Sequence, residues 1–229
     1  MSAVAVAVAV ASAAPAGAGS TSAHVKAAET EAKHELLVKS DFPSGWNGQG
    51  SVKTVDKNGD APDFPGGTQL VGCLGISQSL LNLNTPQATS PNFQSKSGMT
   101  SAQDVVDIFP STNVAHKANA VITNPKVPSC LTAALQGSAR QSITSAIGNG
   151  VTVGTIAVVA TSPGMLTSRA SGFTVSFPAT SQGVTLSVQI SLISIIHDKS
   201  DTNLTLTSVG SPFLTSLAKH LETVAYGRT

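Results

Sequence analysis

The sequence has little charge. Only 11% of its 229 residues are Asp, Glu, Lys or Arg, against about 25% in ordinary globular chains. The 13 basic and 12 acidic residues leave a net charge of +1. A nucleic-acid binder needs a basic surface, so we expect no nucleic acid among the partners. Hydrophobic residues make up 41% of the chain, enough for a core, which argues against a chain that is disordered throughout.

Complete cofactor motifs are also missing. The sequence contains no Gly-rich phosphate loop, no zinc-ligand spacing and no dinucleotide fingerprint. Asp56, Asn58 and Asp60 resemble the start of a calcium loop. Ala61 and Gly67 stand where that loop needs Gly and Glu, so an Asn-Gly turn is favoured. We therefore expect no cofactor and no metal site.

No catalytic constellation is visible either. Ser216 and Lys219 form an S-x-x-K string inside a predicted C-terminal helix, and residues 199–202 only resemble the partner motif that such a string requires. His197 and Asp198 fall in the turn after a predicted strand, where polar residues are expected without catalysis. We predict that the protein is not an enzyme and has no catalytic residues. The alternative is a secreted hydrolase whose Ser/His site is not visible in the sequence.

The chain opens on an uncharged segment. Residues 1–23 contain no Lys, Arg, Asp or Glu, and residues 2–14 are an apolar run that is shorter than the roughly 20 residues of a membrane-spanning helix. Small-residue sites of the A-x-A type follow at 11–13 and 16–18, although no basic residue precedes the run. We interpret residues 1–23 as a signal-peptide-like lead, with a disordered tail as the alternative. The prediction is a secreted or cell-envelope protein with no stable transmembrane span.

The two cysteines are Cys73 and Cys130. In an exported chain, two thiols most simply form one disulfide, whereas two buried free cysteines are the alternative. The chain-entropy model gives a bridge over so long a loop about 4 kcal/mol of stabilisation. No C-x-x-C motif occurs, so a redox-active pair is not indicated.

Hydrophobic periodicity divides the middle of the chain mostly into helices. Residues 47–69 are interpreted as loop with at most one short strand, and residues 84–98 as loop. Val106 and Ile108 alternate with Asp107, which is typical of a half-buried strand over Ala102–Phe109. Helices are predicted over Ala27–Val38, over Leu70–Leu83 and after the N-cap Ser111 up to Ile122. A further helix is predicted to open at Pro128–Ser129, to include Ile143 on its apolar side and to close at residues 148–150.

The last third of the chain changes to a period of two. Apolar residues alternate with Ser and Thr, so consecutive strands are expected to pair antiparallel, with one packed face and one wet face. The predicted strands are 151–160, 173–177, 184–192 and 204–207, followed by a helix that starts at Ser211–Pro212. Helices segregated from an antiparallel sheet define an α+β fold. We expect one α+β domain at 35–229, after the lead at 1–23 and a linker or short helix at 24–34.

A family resemblance rests on several segments. Leu36–Trp46 (LLVKSDFPSGW) resembles the "LL…DLPxGW" opening of a group of exported actinobacterial proteins. That group includes sensor-like domains, similar to the extracellular domain of PknH-type receptor kinases, and secreted or lipid-anchored proteins with a Mog1/PsbP-like fold. The similarity continues through Cys73–Gly75, Val106–Ser111, Pro128–Leu131 and Leu204–Leu217.

The resemblance implies a twisted antiparallel sheet flanked by helices and a Cys73–Cys130 bridge between two helices. It also implies binding or sensing outside the membrane. We therefore interpret the chain as an exported, non-enzymatic binding or sensor-like protein of the cell envelope, with an unknown ligand or protein partner and unknown ligand-binding residues. Its working surface is expected at the wet sheet face or in a groove between sheet and helices. The only tryptophan, Trp46, is interpreted as a core residue rather than a binding anchor.

Overall fold

The computed structural model of the protein describes residues 22–55, 67–77, 85–136, 140, 150–161 and 170–228. The predicted lead up to residue 21 and the calcium-like stretch 56–60 lie outside the described residues. In the described part the chain forms five α-helices, which are α1 (Ser22–Glu35), α2 (Gly67–Leu74), α3 (Thr112–Ile122), α4 (Val127–Gln136) and α5 (Thr215–Arg228).

The helices flank a large antiparallel sheet. Its described strands are β1 (Asn47–Gln49), β2 (Lys53–Val55), β3 (Gln87–Thr89), β4 (Asn92–Gln94), β5 (Thr100–Ile108), β6 (Val151–Val153), β7 (Ala157–Thr161), β8 (Ala170–Ser181), β9 (Val184–His197) and β10 (Ser200–Val209). The order is β1-β4-β5-β10-β9-β8-β6, while β2 pairs with β3, β3 also pairs with β5, and β7 pairs with β8. All these pairings are antiparallel. The predicted α+β fold is confirmed.

One face of the sheet carries helices α2 and α4, and we call it the α4 face. Because side chains alternate along a strand, β8 and β9 direct every second apolar residue to this face. Its core is made by residues of both strands and of both helices, namely Leu74, Val127, Cys130, Leu131, Leu135, Phe173, Val175, Phe177, Val188, Ile190 and Leu192.

The opposite face carries α1 and α5, and we call it the α5 face. Leu217, Leu221 and Ala225 of α5 pack there with Leu204 and Leu206 of β10. Ala32 and Leu36, from α1 and the residue that follows it, pack against β3 and β5 in a neighbouring cluster. Helices from both ends of the described chain therefore cover the same face.

The Leu36–Trp46 segment has a packing role on the α5 face. Leu36 and Leu37 are fully buried, and the ring of Phe42 stacks on the rings of Trp46 and Phe93, with centroids 5.1 and 4.4 Å apart. Trp46 is thus a core residue, as predicted.

The disulfide joins Cys73 of α2 to Cys130 of α4, with the two Cα atoms 5.6 Å apart. This distance lies inside the usual range of about 4.4–6.8 Å. The bridge therefore connects two helices on the α4 face, as predicted.

Several predicted element boundaries were wrong. The first helix begins at Ser22 and ends at Glu35, because Leu36 and Leu37 leave the helix to enter the core. The last helix begins at Thr215, not at Ser211. By contrast, Ser111 caps α3 as expected, since its hydroxyl accepts a hydrogen bond from the Val114 amide.

The stretches interpreted as loop contain the four short strands β1 to β4. Three residues are too few to show a period of two, so pairing defines these strands: β3 and β4 pair with β5, β1 pairs with β4, and β2 pairs with β3. The strand predicted over 151–160 is divided into β6 and β7 around Gly154, which lies close to Pro178. The ends of two predicted helices, at 78–83 and 141–143, fall outside the described residues.

Candidate functional site

A groove of about 410 Å³ opens on the α4 face. We call it the polar groove, because its lining consists of Gln49, Gly50, Ser51, Lys53, Thr89, Ser90, Asn92, Ser101, Gln103, Thr205 and Thr207. No aromatic or aliphatic side chain is among these described residues. This composition contrasts with the apolar core that β8 and β9 build on the same face.

The floor of the groove comes from the register of β5 and β10. Gln103 lies opposite Thr205, and Ser101 lies opposite Thr207. All four side chains project from the α4 face because they occupy alternate positions of paired strands. The polar alternates of these two strands therefore meet in one place.

One wall of the groove is held by Ser90, in the connection between β3 and β4. Its hydroxyl accepts a hydrogen bond from the Asp104 amide at 3.0 Å and donates to the Pro91 carbonyl at 3.1 Å. The Gln103 side-chain amide donates to the Ser90 carbonyl at 3.0 Å. These bonds tie the wall to β5 and fix the shape of the groove on that side.

The lining keeps free hydrogen-bonding capacity. The side chains of Ser101, Thr205 and Thr207 form no hydrogen bond with another described residue, nor does Lys53 form an ion pair within the described ranges. Lys53 is the only charged side chain among the lining residues. The groove thus presents hydroxyls, amides and one positive charge to a ligand.

Two buried carboxyl groups lie farther along the same strands. Asp107 of β5 and Asp201 of β10 are directly opposite each other, and neither is exposed to solvent. Asp107 accepts hydrogen bonds from the Thr85 hydroxyl at 2.8 Å, the Gln87 amide at 3.0 Å and the Asn203 amide at 3.4 Å.

Asp201 has fewer donors. Its Oδ1 accepts a hydrogen bond from the Ser194 hydroxyl at 2.8 Å, while its buried Oδ2 has no hydrogen-bond partner among the described residues. Burial, assisted by the negative charge of Asp107, raises the pKa of Asp201 from 3.8 to about 7.

Other buried carboxyl groups lie on the α5 face. Asp104 is fully buried, and its Oδ2 accepts a hydrogen bond from the Leu37 amide at 3.1 Å. Burial raises the pKa of Asp104 to about 6, although hydrogen bonds and the charge of Arg228 lower it in part. Burial also raises the pKa of Glu35, which accepts a hydrogen bond from Ser200.

The residues considered for catalysis form no Ser–His pair among the described residues. Ser216 and Lys219 are exposed on α5. The His197 ring meets the edge of Tyr226 with centroids 5.5 Å apart, and its Nδ1 is 3.8 Å from an Asp198 oxygen. Within the described ranges, His197 forms no hydrogen bond to a serine, and no three His, Cys, Asp or Glu side chains gather to hold a metal. No helix of the described part is long and apolar enough to cross a membrane.

Sequence reasoning named no ligand-binding residues, and the groove shows what was missed. Ser101 and Gln103 occupy alternate positions of β5, and Thr205 and Thr207 occupy alternate positions of β10. This spacing is a usable signal, because it predicts a polar stripe on each strand. The walls carry no such signal, because β1 to β4 have only three residues each. From the sequence alone they are therefore interpreted as loop.

The sequence matches no family model and no curated protein. Among solved structures, the extracellular domain of PknH from Mycobacterium tuberculosis is similar, with a TM-score of 0.45 and 10% sequence identity. The match covers 87% of this chain and 97% of that chain.

Proposed function

We propose that the protein is an exported, non-enzymatic binding domain whose polar groove takes a small polar ligand. The observation that carries this proposal is the open groove with a floor of hydroxyl and amide groups, on the sheet face where β8 and β9 build an apolar core. Its volume lies within the roughly 300–1,000 Å³ that is usual for small-molecule sites.

The lining determines the chemistry of the ligand. Hydroxyl and amide side chains recognise groups that donate and accept hydrogen bonds, and they give no adhesion to an extended apolar surface. Lys53 adds one positive charge. The ligand is therefore neutral or carries a single negative group, which lies against Lys53.

The lining also supports binding rather than hydrolysis. It includes hydroxyls, but no His, Asp or Glu is among the described lining residues. A serine or threonine hydroxyl needs an adjacent base to act as a nucleophile.

Export is supported by the Cys73–Cys130 bridge, because disulfides form and persist mainly in oxidising compartments. The uncharged apolar lead is consistent with this interpretation. We also propose that the chain belongs with the exported sensor-like proteins that its Leu36–Trp46 segment resembles. A sensor-like role in the cell envelope follows from that assignment.

The experiment is a ligand screen on the folded protein with matched variants. The probes are neutral and singly anionic oligosaccharides, and binding is followed as a change in melting temperature. Thr205→Val and Thr207→Val remove groove hydroxyls and should abolish the change, while Lys53→Met should weaken only anionic probes. Thr185→Val removes an exposed hydroxyl of β9 outside the groove and should leave binding intact.

Binding that survives both floor substitutions would place the site elsewhere. A screen in which no probe changes the melting temperature would contradict the proposed ligand class.

A further inference from the structure

The polar groove and the Asp107–Asp201 pair belong to one polar stripe. On the α4 face, the cross-strand pairs of β5 and β10 run in sequence from Ser101–Thr207 through Gln103–Thr205 and Val105–Asn203 to Asp107–Asp201. The groove is the open end of this stripe, and the two carboxyl groups are its buried end.

The geometry of the pair disfavours two negative charges. Residues directly opposite on antiparallel strands have Cβ atoms about 4.5–5.5 Å apart, and like charges at such positions are destabilising. Neither aspartate is exposed, so water does not screen the repulsion between the carboxyl groups.

The hydrogen bonds distinguish the two groups. Asp107 accepts from Thr85, Gln87 and Asn203, and several donors stabilise the ionised form of a carboxyl group. Ser194 and Asn203 also lower the pKa of Asp201, but burial and the charge of Asp107 outweigh them. Oδ2 of Asp201 is buried and has no hydrogen-bond partner among the described residues. A negative charge on that oxygen would have no hydrogen-bond donor among the described residues. A proton on the oxygen removes the charge.

Among the described residues, no cation near Asp201 replaces the proton. The charged or titratable groups on the described surrounding elements are Asp104 and Asp107 on β5, His116 and Lys117 on α3, His197 and Asp198 at the end of β9, and Lys199 before β10. Of these, only Asp107 shifts the pKa of Asp201 by its charge, and it raises that pKa. Gln87 of β3 and Ser194 of β9 are neutral.

We propose that Asp107 and Asp201 form a proton-binding pair, in which Asp201 holds a proton beside the ionised Asp107 in the folded domain. Loss of that proton above neutral pH places two charges between β5 and β10 and weakens the strand pair that also forms the groove floor. This inference does not depend on the groove binding a ligand.

The test compares the unfolding of wild type and Asp201→Asn in urea from pH 5 to pH 8.5 at constant ionic strength. The pKa of Asp201 is higher in the folded state than in the unfolded state, so its stabilising contribution is complete at low pH and is lost as pH rises through about 7. The wild-type folding constant should fall at least tenfold between pH 5 and pH 8.5. Asn is neutral at every pH and imitates the protonated acid, so the excess of the Asp201→Asn folding constant over that of wild type should grow at least tenfold from pH 5 to pH 8.5.

Asp198→Asn is the matched control, because it removes the same charge from an exposed turn where the backbone φ of 49° suits Asn. This variant should follow the wild-type pH curve. An Asp201→Asn curve parallel to that of wild type would overturn the proposal. So would stabilisation by added calcium that disappears in Asp201→Asn, because the pair would then be a cation site.

A second measurement leaves Asp201 in place. In Asp104→Asn protein with ¹³C-labelled aspartate, one carboxyl resonance should still titrate near neutral pH, because the other fully buried high-pKa aspartate has been removed. If every aspartate resonance in that protein titrates below pH 5, Asp201 does not hold the proposed proton.

Discussion

At the scale of single residues, Arg228 connects the end of the described chain to its beginning. Its guanidinium donates to both carboxylate oxygens of Asp41, at 2.8 and 2.6 Å, and to the Leu36 carbonyl at 2.6 Å. The Asp41 side chain is only 9% exposed, so Arg228 is the cationic partner of a nearly buried carboxylate.

Arg228→Met should lower the free energy of unfolding by roughly 2–4 kcal/mol, because it leaves a buried carboxylate and a carbonyl without their donor. Lys199→Met is the control. Lys199 pairs with Glu31 at 2.9 Å, but both side chains are well exposed, so that loss should stay below about 1 kcal/mol. Urea unfolding at pH 7 measures both variants, and equal losses would refute the structural role of Arg228.

The raised pKa of Asp104 predicts a separate dependence of stability on pH. Its pKa is raised to about 6 by burial, so its favourable contribution is complete below pH 3.8 and is lost as pH rises through 6. Asp104→Asn keeps an acceptor for the Leu37 amide and stays neutral. It should therefore be more stable than wild type by about 1–3 kcal/mol at pH 8 and similar at pH 4.

Denaturant unfolding at the two pH values checks this prediction. Arg228 lowers the pKa of Asp104, so Arg228→Met should shift the Asp104 titration to higher pH. A pH profile of Asp104→Asn that runs parallel to that of wild type would contradict the prediction.

The sequence could predict some residues and not others. Trp46 and the two cysteines were assigned correctly, because their types and local context suffice. Asp107 was expected on the polar side of a half-buried strand, yet it is fully buried. Alternation along one strand shows which residues share a face. It does not show that Thr85, Gln87 of β3 and Asn203 of β10 surround Asp107 on that face.

At the scale of elements, the long strands were predictable and the short strands were not. β8, β9 and β10 are each ten residues or longer, and part of each alternates between apolar and polar residues, so their period is readable. β4 has three residues, and its place depends on pairings such as Phe93 with Ala102 of β5. The groove walls depend on these short strands, which explains why the site was less predictable than the fold.

Gly172 permits the close approach of β8 and β9. A Cβ atom at this position would lie 2.5 Å from the Leu192 carbonyl oxygen and 3.3 Å from the Ile193 Cα. Because both neighbours are backbone atoms, Gly172→Ala should destabilise the domain by at least about 2 kcal/mol.

The matched control for Gly172→Ala is Gly227→Ala. Gly227 lies in α5 with nothing within 4 Å of an added Cβ, and Ala is favoured over Gly in a helix by about 0.5–1 kcal/mol. Thermal melting should therefore shift in opposite directions for the two variants. Shifts of the same sign would show that the close backbone contact at Gly172 does not determine the stability of the domain.

The disulfide leads to a prediction about how α2 contributes to stability. It pins α2 to α4 and closes a loop of 57 residues, so the double variant Cys73→Ala, Cys130→Ala should lose about 2–5 kcal/mol. Its melting temperature is compared with that of wild type with and without reductant, and reductant should affect only wild type. Two reactive thiols in denatured, unreduced wild type would disprove the bond, and an unchanged melting temperature in the variant would remove its stabilising role.

At the scale of the whole molecule, the central strand pair joins distant parts of the chain. β5 (Thr100–Ile108) pairs along its whole length with β10 (Ser200–Val209), so the sheet is completed only when the last strand is present. Contacts of such long sequence separation are expected to make folding slow. The α5 face then depends on α1, α5 and the Leu36–Trp46 segment, which pack against the apolar residues of β5, β9 and β10 there.

The final prediction is that the fold of the α5 face depends on helix α5. A chain that ends at Leu214 keeps all strands but loses Leu217, Leu221 and Ala225, which are buried against β9 and β10. This removes several fully buried side chains at about 1.5–3 kcal/mol each for the larger ones, against a total stability of about 5–15 kcal/mol. The truncated chain should therefore lose its cooperative melting transition.

Trp46 reports on this outcome. It is the only tryptophan, and its ring lies 6.1 Å from that of Phe213 in the cluster that α5 covers. In the truncated chain its fluorescence should shift to the emission of a solvent-exposed tryptophan. Lys219→Ala with His220→Ala changes only exposed positions of α5 and should leave emission and melting unchanged. A truncated chain that melts cooperatively with wild-type emission would show that the sheet is stable without α5, so that this helix would be an addition to a domain already complete at β10.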